Sequence, residues 1–134
     1  MEPLCAGVRD FSIYEVGPRD GLQNLPHAVS VDDRIRLVKM LSEAGLKDIE
    51  AASFVNPRTV PSMAGAAKVM RGCRGVDARL SALVPNARGL HDAIDAGTEY
   101  FNLFLSGSET FNHRNLGKTL QQAYEDYDHM LEVN

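Results

Sequence analysis

A chain of 134 residues is long enough to form one domain with a substantial core. It carries 14 basic and 18 acidic residues, a net charge of −4, and no basic run, so its surface would repel a nucleic-acid backbone. No apolar run approaches the roughly 20 residues that cross a bilayer, and the N-terminal residues match neither a secretory nor an organelle-targeting pattern. We therefore expect a cytoplasmic protein with no nucleic-acid or membrane partner.

The cysteines and histidines do not form a recognisable ligand set. Cys5 and Cys73 lie far apart, and neither has a Cys or His at metal-ligand spacing, which predicts unpaired thiols in a reducing compartment. No two histidines lie one residue or one helical turn apart, so surface positions are expected for all of them: His27, His91, His113 and His129.

The first predicted strand is a β-prone segment at residues 11–16. After a polar bend, a helix is expected to begin at a capping residue, Ser30 or Asp32, and to end at Gly45. Its apolar side is expected to comprise Ile35, Val38 and Leu41/Leu46.

The rest of the chain continues this alternation. Strands are predicted at residues 47–53, 78–84 and 100–105, and helices at residues 62–74 and 87–96. A long polar loop is expected at residues 106–118, followed by a last helix near residues 119–132. The inward side chains expected for the last two helices are Leu90, Ala93 and Ile94, then Leu120, Tyr124, Tyr127 and Leu131.

Four strand–helix units in succession predict an α/β fold with parallel strands and right-handed crossovers. Several strands carry polar residues at positions that could face a barrel interior, although simple exposure of strand ends would explain them too: Glu15, Asp48, Glu50, Ser81 and Asn102. A complete (β/α)8 barrel takes about 250 residues. Residues 1–134 are therefore predicted to form a single partial barrel domain, the N-terminal half of a TIM barrel.

Polar residues cluster in the bend after the first strand, at residues 16–24 (VGPRDGLQN). Asp20 offers the hard oxygen that Mg²⁺ or Mn²⁺ prefers, although Asp before Gly is also a common turn pair, and the residues alone favour the turn. Glu50 follows 30 residues later on the next strand, so both carboxylates should meet at one rim. A structural ion pair explains Glu50 equally well on this logic.

The same nine residues resemble the first-strand signature of 3-hydroxy-3-methylglutaryl-CoA lyases, which belong to a superfamily of metal-dependent barrels that also includes acyl-transferring synthases. The resemblance continues over essentially the whole chain, through residues 40–46, Ile49-Glu50, residues 53–55 and Pro85-Asn86. It implies divalent-metal-dependent retro-Claisen cleavage of 3-hydroxy-3-methylglutaryl-CoA, an acyl-CoA thioester, to acetyl-CoA and acetoacetate, as in leucine degradation.

The resemblance also assigns roles to residues. Asp20 is expected to bind the divalent cation, Mg²⁺ or Mn²⁺, which acidifies the substrate hydroxyl, and Arg19 to contact substrate and stabilise developing negative charge. Gln23 is expected in the same pocket. Glu50 is expected to be catalytic, either holding Arg19 or transferring a proton, and Ser53 to contribute a hydroxyl that binds substrate.

The family completes its metal site with a His-any-His pair and an Asn, and uses a Cys on a glycine-rich loop; the 134 residues contain no such pair or loop. We therefore expect this chain alone to bind metal weakly and to turn over no substrate. One alternative is an acyl-CoA-dependent 2-oxoacid condensing synthase, which the residues flanking Arg19 disfavour. Another is a non-catalytic half-barrel: either an assembly module, whose open sheet edges pair in a homo-oligomer, or a truncated product, which would be a monomer or a soluble aggregate.

Overall fold

Four parallel strands form one sheet in the computed structural model, which describes residues 11–132. The strands follow one another across the sheet in chain order: β1 (Tyr14–Glu15), β2 (Asp48–Ser53), β3 (Arg79–Leu83) and β4 (Tyr100–Asn102). This order is that of consecutive strand–helix units in a barrel wall. The predicted parallel α/β architecture is therefore confirmed, with β1 and β4 shorter than expected.

Helices connect the strands and cover one face of the sheet. Five α-helices lie within the described residues: α1 (Val31–Glu43), α2 (Ala66–Gly72), α3 (Ala87–Asp95), α4 (Glu109–Leu116) and α5 (Leu120–Glu132). A five-residue helical turn, Gly17–Gly21, follows β1, and a short 3₁₀ helix, Pro61–Met63, precedes α2. Within residues 11–132, no helix combines the length and apolar character that a membrane span requires.

The core lies between this helical layer and the sheet, in two clusters. The first joins α1 and α2 to β2 and β3 and includes Val38, Ala51, Val69, Cys73 and Ala82, all fully buried. Burial raises the pKa of the Cys73 thiol above its ordinary value. Cys73 is unpaired in the structure, whereas Cys5 lies outside the described residues. The second cluster packs α5 on α3 through Val84, Leu90, Ala93, Tyr127 and Met130.

The start of α1 agrees with the predicted cap. Ser30 Oγ accepts a hydrogen bond from the backbone N–H of Asp33 at 3.1 Å, and Gly45 follows the helix with a positive φ of 97°. Arg34 on this helix is fully buried, which the apolar periodicity did not predict. Its Nη1 donates to the Ala64 carbonyl at 2.8 Å, so the arginine ties α1 to the segment before α2.

The single helix predicted at residues 62–74 is wrong, because the segment is broken at Gly65. This glycine has a φ of +78°, and a Cβ there would lie 2.7 Å from Val31 Cγ2. Only glycine combines the left-handed conformation with this close approach to α1. The 3₁₀ helix Pro61–Met63 and α2 therefore form separate pieces.

The polar loop predicted at residues 106–118 is also wrong, because α4 occupies most of it. Ser108 caps the helix through the Phe111 N–H, and Gly117 ends it at a φ of +67°. Asn112 on α4 is fully buried: its Oδ1 accepts the Ser106 N–H at 3.0 Å and its Nδ2 donates to the Ser106 carbonyl at 2.7 Å. Polar contacts rather than an apolar face hold this helix. The sequence therefore shows little of the apolar periodicity that predicts a helix.

The inward face predicted for α5 is correct at Tyr127 and wrong at Tyr124 and Leu131. Tyr124 and Leu131 are 51% and 68% exposed, whereas Ala123, Tyr127 and Met130 are buried. Tyr127 fixes the helix rotation because its hydroxyl donates to the Phe104 carbonyl. On α3, Leu90 and Ala93 are buried as predicted, but Ile94 is 44% exposed.

The buried amide of α4 gives a stability prediction. Replacing Asn112 with leucine leaves the Ser106 N–H and C=O without partners, so the free energy of unfolding should fall by about 2 kcal/mol. Urea unfolding of the purified chain measures this change. The matched control is Asn115→Leu on the exposed side of the same helix, which should stay within about 0.5 kcal/mol of wild type. Equal losses in the two variants would contradict the role of the buried amide.

Candidate functional site

The bend after β1 is a stiff helical turn rather than an open loop. The Val16 carbonyl accepts hydrogen bonds from the Arg19 N–H at 3.1 Å and the Asp20 N–H at 2.7 Å. Pro18 occupies the start of the turn and is buried. Because proline fixes its φ and the backbone bonds close the turn, the Arg19 side chain leaves the strand end in a defined direction.

Arg19 is held by a buried carboxylate. Its Nε donates to Glu50 Oε2 at 2.7 Å, and the Glu50 side chain is only 2% exposed. Arg19 retains 17% of its side-chain exposure. A carboxylate this far from water requires a charged or hydrogen-bonding partner, so the ion pair fixes the guanidinium above the sheet.

The second oxygen of Glu50 is bound as well. Asn102 Nδ2, at the end of β4, donates to Glu50 Oε1 at 2.8 Å. Sequence reasoning placed Asn102 among the polar strand positions but not among the site residues. The signal that could have identified it is a polar residue on a strand otherwise occupied by aromatic and aliphatic side chains.

The hydrogen bonds extend across the sheet, with one polar side chain from each strand. The Tyr14 hydroxyl lies 2.5 Å from Ser81 Oγ and accepts a hydrogen bond from Asn102 Nδ2. Ser81 Oγ in turn donates to the Ile49 carbonyl at 3.4 Å. We call Tyr14, Glu50, Ser81 and Asn102 the sheet network.

Two of the polar strand residues do not join the sheet network. Glu15 Oε1 accepts the Gly17 N–H at 2.6 Å, which stabilises the turn after β1. Asp48 forms an ion pair with Arg79 on the neighbouring strand. Both carboxylates are therefore engaged in local contacts rather than in the network around Glu50.

Asp20 lies on this turn and Gln23 just after it, and both are held less firmly. Asp20 is 56% exposed, and its Oδ1 accepts from Arg19 Nη1 at 2.9 Å. Gln23 is partly buried, and its backbone carbonyl accepts the Ser62 hydroxyl at 2.9 Å. Within residues 11–132, no hydrogen bond brings the Gln23 side chain to Arg19 or Glu50.

Ser53 ends β2 and is buried, with 1% of its surface exposed. Its hydroxyl has no hydrogen-bond partner among the described residues. The structure therefore places this hydroxyl inside the protein rather than on an open rim.

The donors present fit only part of a cation site. Asp20 offers one hard oxygen, while both oxygens of Glu50 are already hydrogen-bonded. In the described part of the chain, no three His, Cys, Asp or Glu residues lie close enough together to hold a metal ion. Mg²⁺ in proteins generally uses more than one fixed oxygen or a substrate oxygen.

The structure contains a groove of about 960 Å³. Its walls come from the loops after β2 and β3 and from α3 and α5, including Phe54, Asn86, Arg88 and His129. Asn86 caps α3 by accepting the Gly89 N–H at 2.9 Å, as the scaffolding interpretation of Pro85-Asn86 predicts. Neither Arg19 nor Glu50 lines this groove, so the groove is separate from their ion pair.

Curated relatives match nearly all of this chain. It is 44% identical over 124 residues to the 3-hydroxy-3-isohexenylglutaryl-CoA/hydroxy-methylglutaryl-CoA lyase of Pseudomonas aeruginosa, covering 90% of the chain and 41% of the relative. It is 40% identical over 126 residues to the mitochondrial hydroxymethylglutaryl-CoA lyase of Macaca fascicularis, covering 93% of the chain and 39% of the relative. The chain thus spans about 40% of the length of these relatives.

Solved structures agree with the sequence relatives. The Bacillus subtilis HMG-CoA lyase superposes with a TM-score of 0.85 at 39% identity, over 90% of this chain and 41% of that one. An HMG-CoA lyase from Acinetobacter baumannii in complex with coenzyme A and 3-methylmalate gives a TM-score of 0.86 at 37% identity, over 90% of this chain and 40% of that one. A family model described as HMGL-like matches residues 10–134. With nearly its whole length matched, the chain belongs to the HMGL-like family.

Proposed function

We propose that this chain forms part of a hydroxymethylglutaryl-CoA lyase, which cleaves 3-hydroxy-3-methylglutaryl-CoA to acetyl-CoA and acetoacetate. The observation that carries the proposal is the Arg19 guanidinium, which follows β1 and is held by the buried Glu50. The chain in which this pair occurs belongs to the HMGL-like family. The relatives named above are lyases, which favours a lyase over a condensing synthase. The coenzyme A complex of the Acinetobacter baumannii lyase supports an acyl-CoA substrate.

The proposed chemistry requires a positively charged group near the substrate, and the Arg19 guanidinium can supply it. When the carbon–carbon bond breaks, the tertiary hydroxyl loses its proton and becomes the ketone of acetoacetate. The bonding electrons pass to the acetyl-CoA fragment as an enolate, which then takes up a proton. A guanidinium stabilises the enolate oxygen by charge and by its planar fork of N–H donors. Arg19 Nη2, which has no hydrogen bond within residues 11–132, is the donor we assign to this oxygen.

We propose that Glu50 positions Arg19 and does not transfer protons. Both of its oxygens accept hydrogen bonds from within the protein, and its side chain is buried. A proton-transfer group must reach the substrate within hydrogen-bond distance, directly or through one water. An occupied and buried carboxylate is better suited to fixing a neighbouring cation.

We propose that Asp20 is one ligand of a divalent cation, Mg²⁺ or Mn²⁺, with low affinity in this chain. Its exposed carboxylate is a hard oxygen donor next to Arg19, but the described residues add no cluster of three donors around it. Several further assignments stay predictions. They are substrate binding by Gln23 and Ser53, a single partial domain at residues 1–134, a cytoplasmic location and a place in leucine degradation.

A self-associating half-barrel is the second candidate, and the sheet edges favour it. Among the described strands, β1 and β4 each pair on one side only. Apolar side chains near these edges are exposed, including Ile13 at 56% and Tyr100 at 46%. Light scattering after size exclusion tests this candidate, because a defined dimer of the 14.7 kDa chain would support assembly and a monomer would contradict it.

The lyase proposal is tested by substitution of Arg19. We expect no acetoacetate from the purified chain alone, but activity from a chimera in which this chain replaces the matching part of the Pseudomonas aeruginosa lyase. In the chimera, Arg19→Lys should lower kcat by about 100-fold or more, because lysine lacks the planar fork. The matched control is Arg36→Lys, at an exposed position on α1, which should keep the rate.

A folded wild-type chimera that produces no acetoacetate would contradict the lyase proposal. An Arg19→Lys chimera as fast as the Arg36→Lys control would contradict the role assigned to Arg19. Acetoacetate from the purified chain itself would instead contradict the expectation that this chain is inactive alone.

The role of Asp20 is tested with Mn²⁺, whose unpaired electrons broaden nearby NMR signals. We expect the amide signals of Asp20 and Gly21 to broaden only at about millimolar Mn²⁺, because a site with few fixed oxygens binds weakly. Asp20→Asn should remove this broadening. Asp77→Asn, at an exposed aspartate paired with Lys47, is the control and should leave it unchanged. Equal broadening in wild type and Asp20→Asn would contradict the ligand assignment.

A further inference from the structure

We propose that Asn102 is a positioning residue, which orients the Glu50 carboxylate and through it the Arg19 guanidinium. The contacts that support this inference are independent of any substrate. Its consequence for catalysis rests on the proposed lyase function.

The Glu50 carboxylate lies between two donors, one on each oxygen. Arg19 Nε is 2.7 Å from Oε2, and Asn102 Nδ2 is 2.8 Å from Oε1. With both oxygens bound, the carboxylate cannot rotate about its last bond without breaking a hydrogen bond. Removing the amide would leave Oε1 of a buried carboxylate unpaired, and the group would turn to recover a partner.

The chemistry of the carboxylate determines which way the Asn102 amide faces. Glu50 is an acceptor when ionised, so the amide nitrogen must face it. The flipped amide would place Oδ1 against Oε1, bringing two acceptors together. The short contact therefore requires the Asn102 Nδ2 orientation that the structure shows.

The rest of the sheet network holds the amide in this orientation. One Asn102 N–H serves Glu50 and the other serves the Tyr14 hydroxyl, which leaves the Tyr14 O–H free to donate to Ser81 Oγ. Ser81 then donates to the Ile49 carbonyl of β2. This directional chain begins at the β4 amide and ends on the backbone of β2. The 3.4 Å contact from Asn102 Nδ2 to Ser81 Oγ is secondary, because the NH₂ group has only two hydrogens.

Arg19 has a competing partner, which is why the orientation of Glu50 matters. Its Nη1 already contacts Asp20 Oδ1 at 2.9 Å, on a side chain that is 56% exposed. If Glu50 turns away, the guanidinium is left with this solvent-exposed partner, and exposed pairs fix a long side chain poorly. Asn102 therefore determines which of the two carboxylates directs Arg19.

The experiment follows the Arg19 Nε–H by NMR in the ¹⁵N-labelled chain, with the signal assigned from its loss in Arg19→Lys. We expect hydrogen exchange at this N–H to accelerate by about tenfold or more in Asn102→Leu, because one hydrogen bond to a charged group is lost. Asn102→Thr suits a strand and has a hydroxyl too short to reach Glu50, so it should show the same acceleration and serves if the leucine variant does not fold.

The matched control is Asn112→Leu, which removes a buried amide on α4 that bonds Ser106 rather than the sheet network, and which should destabilise the fold without changing Arg19 exchange. A purely structural Asn102 would give equal acceleration in the Asn102 and Asn112 variants, and that result would overturn the inference. Exchange within about twofold of wild type in a folded Asn102 variant would overturn it as well.

The two proposals fail separately in these experiments. If the folded wild-type chimera produces no acetoacetate, the lyase assignment fails while the NMR result on Asn102 stands. If the Asn102 variants leave Arg19 exchange unchanged, the positioning inference fails while the lyase assignment stands.

Discussion

The burial of one carboxylate controls the arrangement of this polar face. Glu50 is 2% exposed, so its charge requires partners within the protein. Arg19 supplies the compensating charge and Asn102 a neutral donor, and they come from opposite edges of the sheet. The constraint therefore links the turn after β1 to the end of β4 and fixes the one guanidinium to which we assign chemistry.

The fold places these groups together because all four strands are parallel. Parallel strands present their carboxyl ends at the same edge, and side chains at matched positions then share a face. The opposite face carries Ile49, Ala51 and Ala82, all fully buried, with Ala51 and Ala82 in the cluster under α1 and α2. Helical packing on one face thus leaves the other face available for a site.

The sequence predicted the elements whose signal is local. The β-prone segments and the cap at Ser30 depend on neighbouring residues, and the structure confirms them. Helix α4 could not be predicted, because polar contacts of Asn112 hold it and these follow no apolar period. On α5, Tyr127 faces inward as predicted, but Ala123 and Met130 are buried where Tyr124 and Leu131 were expected.

The site was predicted only in part, for a related reason. Arg19, Asp20 and Glu50 are brought together as the motif indicated. Asn102 was missed because it lies two strands from Glu50, and only the register across β3 shows that its amide reaches the carboxylate.

The most direct measurement of the central claim is a double-mutant cycle on stability, using Arg19→Met and Glu50→Gln in this chain. A coupling free energy of about 1.5 kcal/mol or more is predicted for a buried charged pair, and a value within about 0.5 kcal/mol of zero would contradict it.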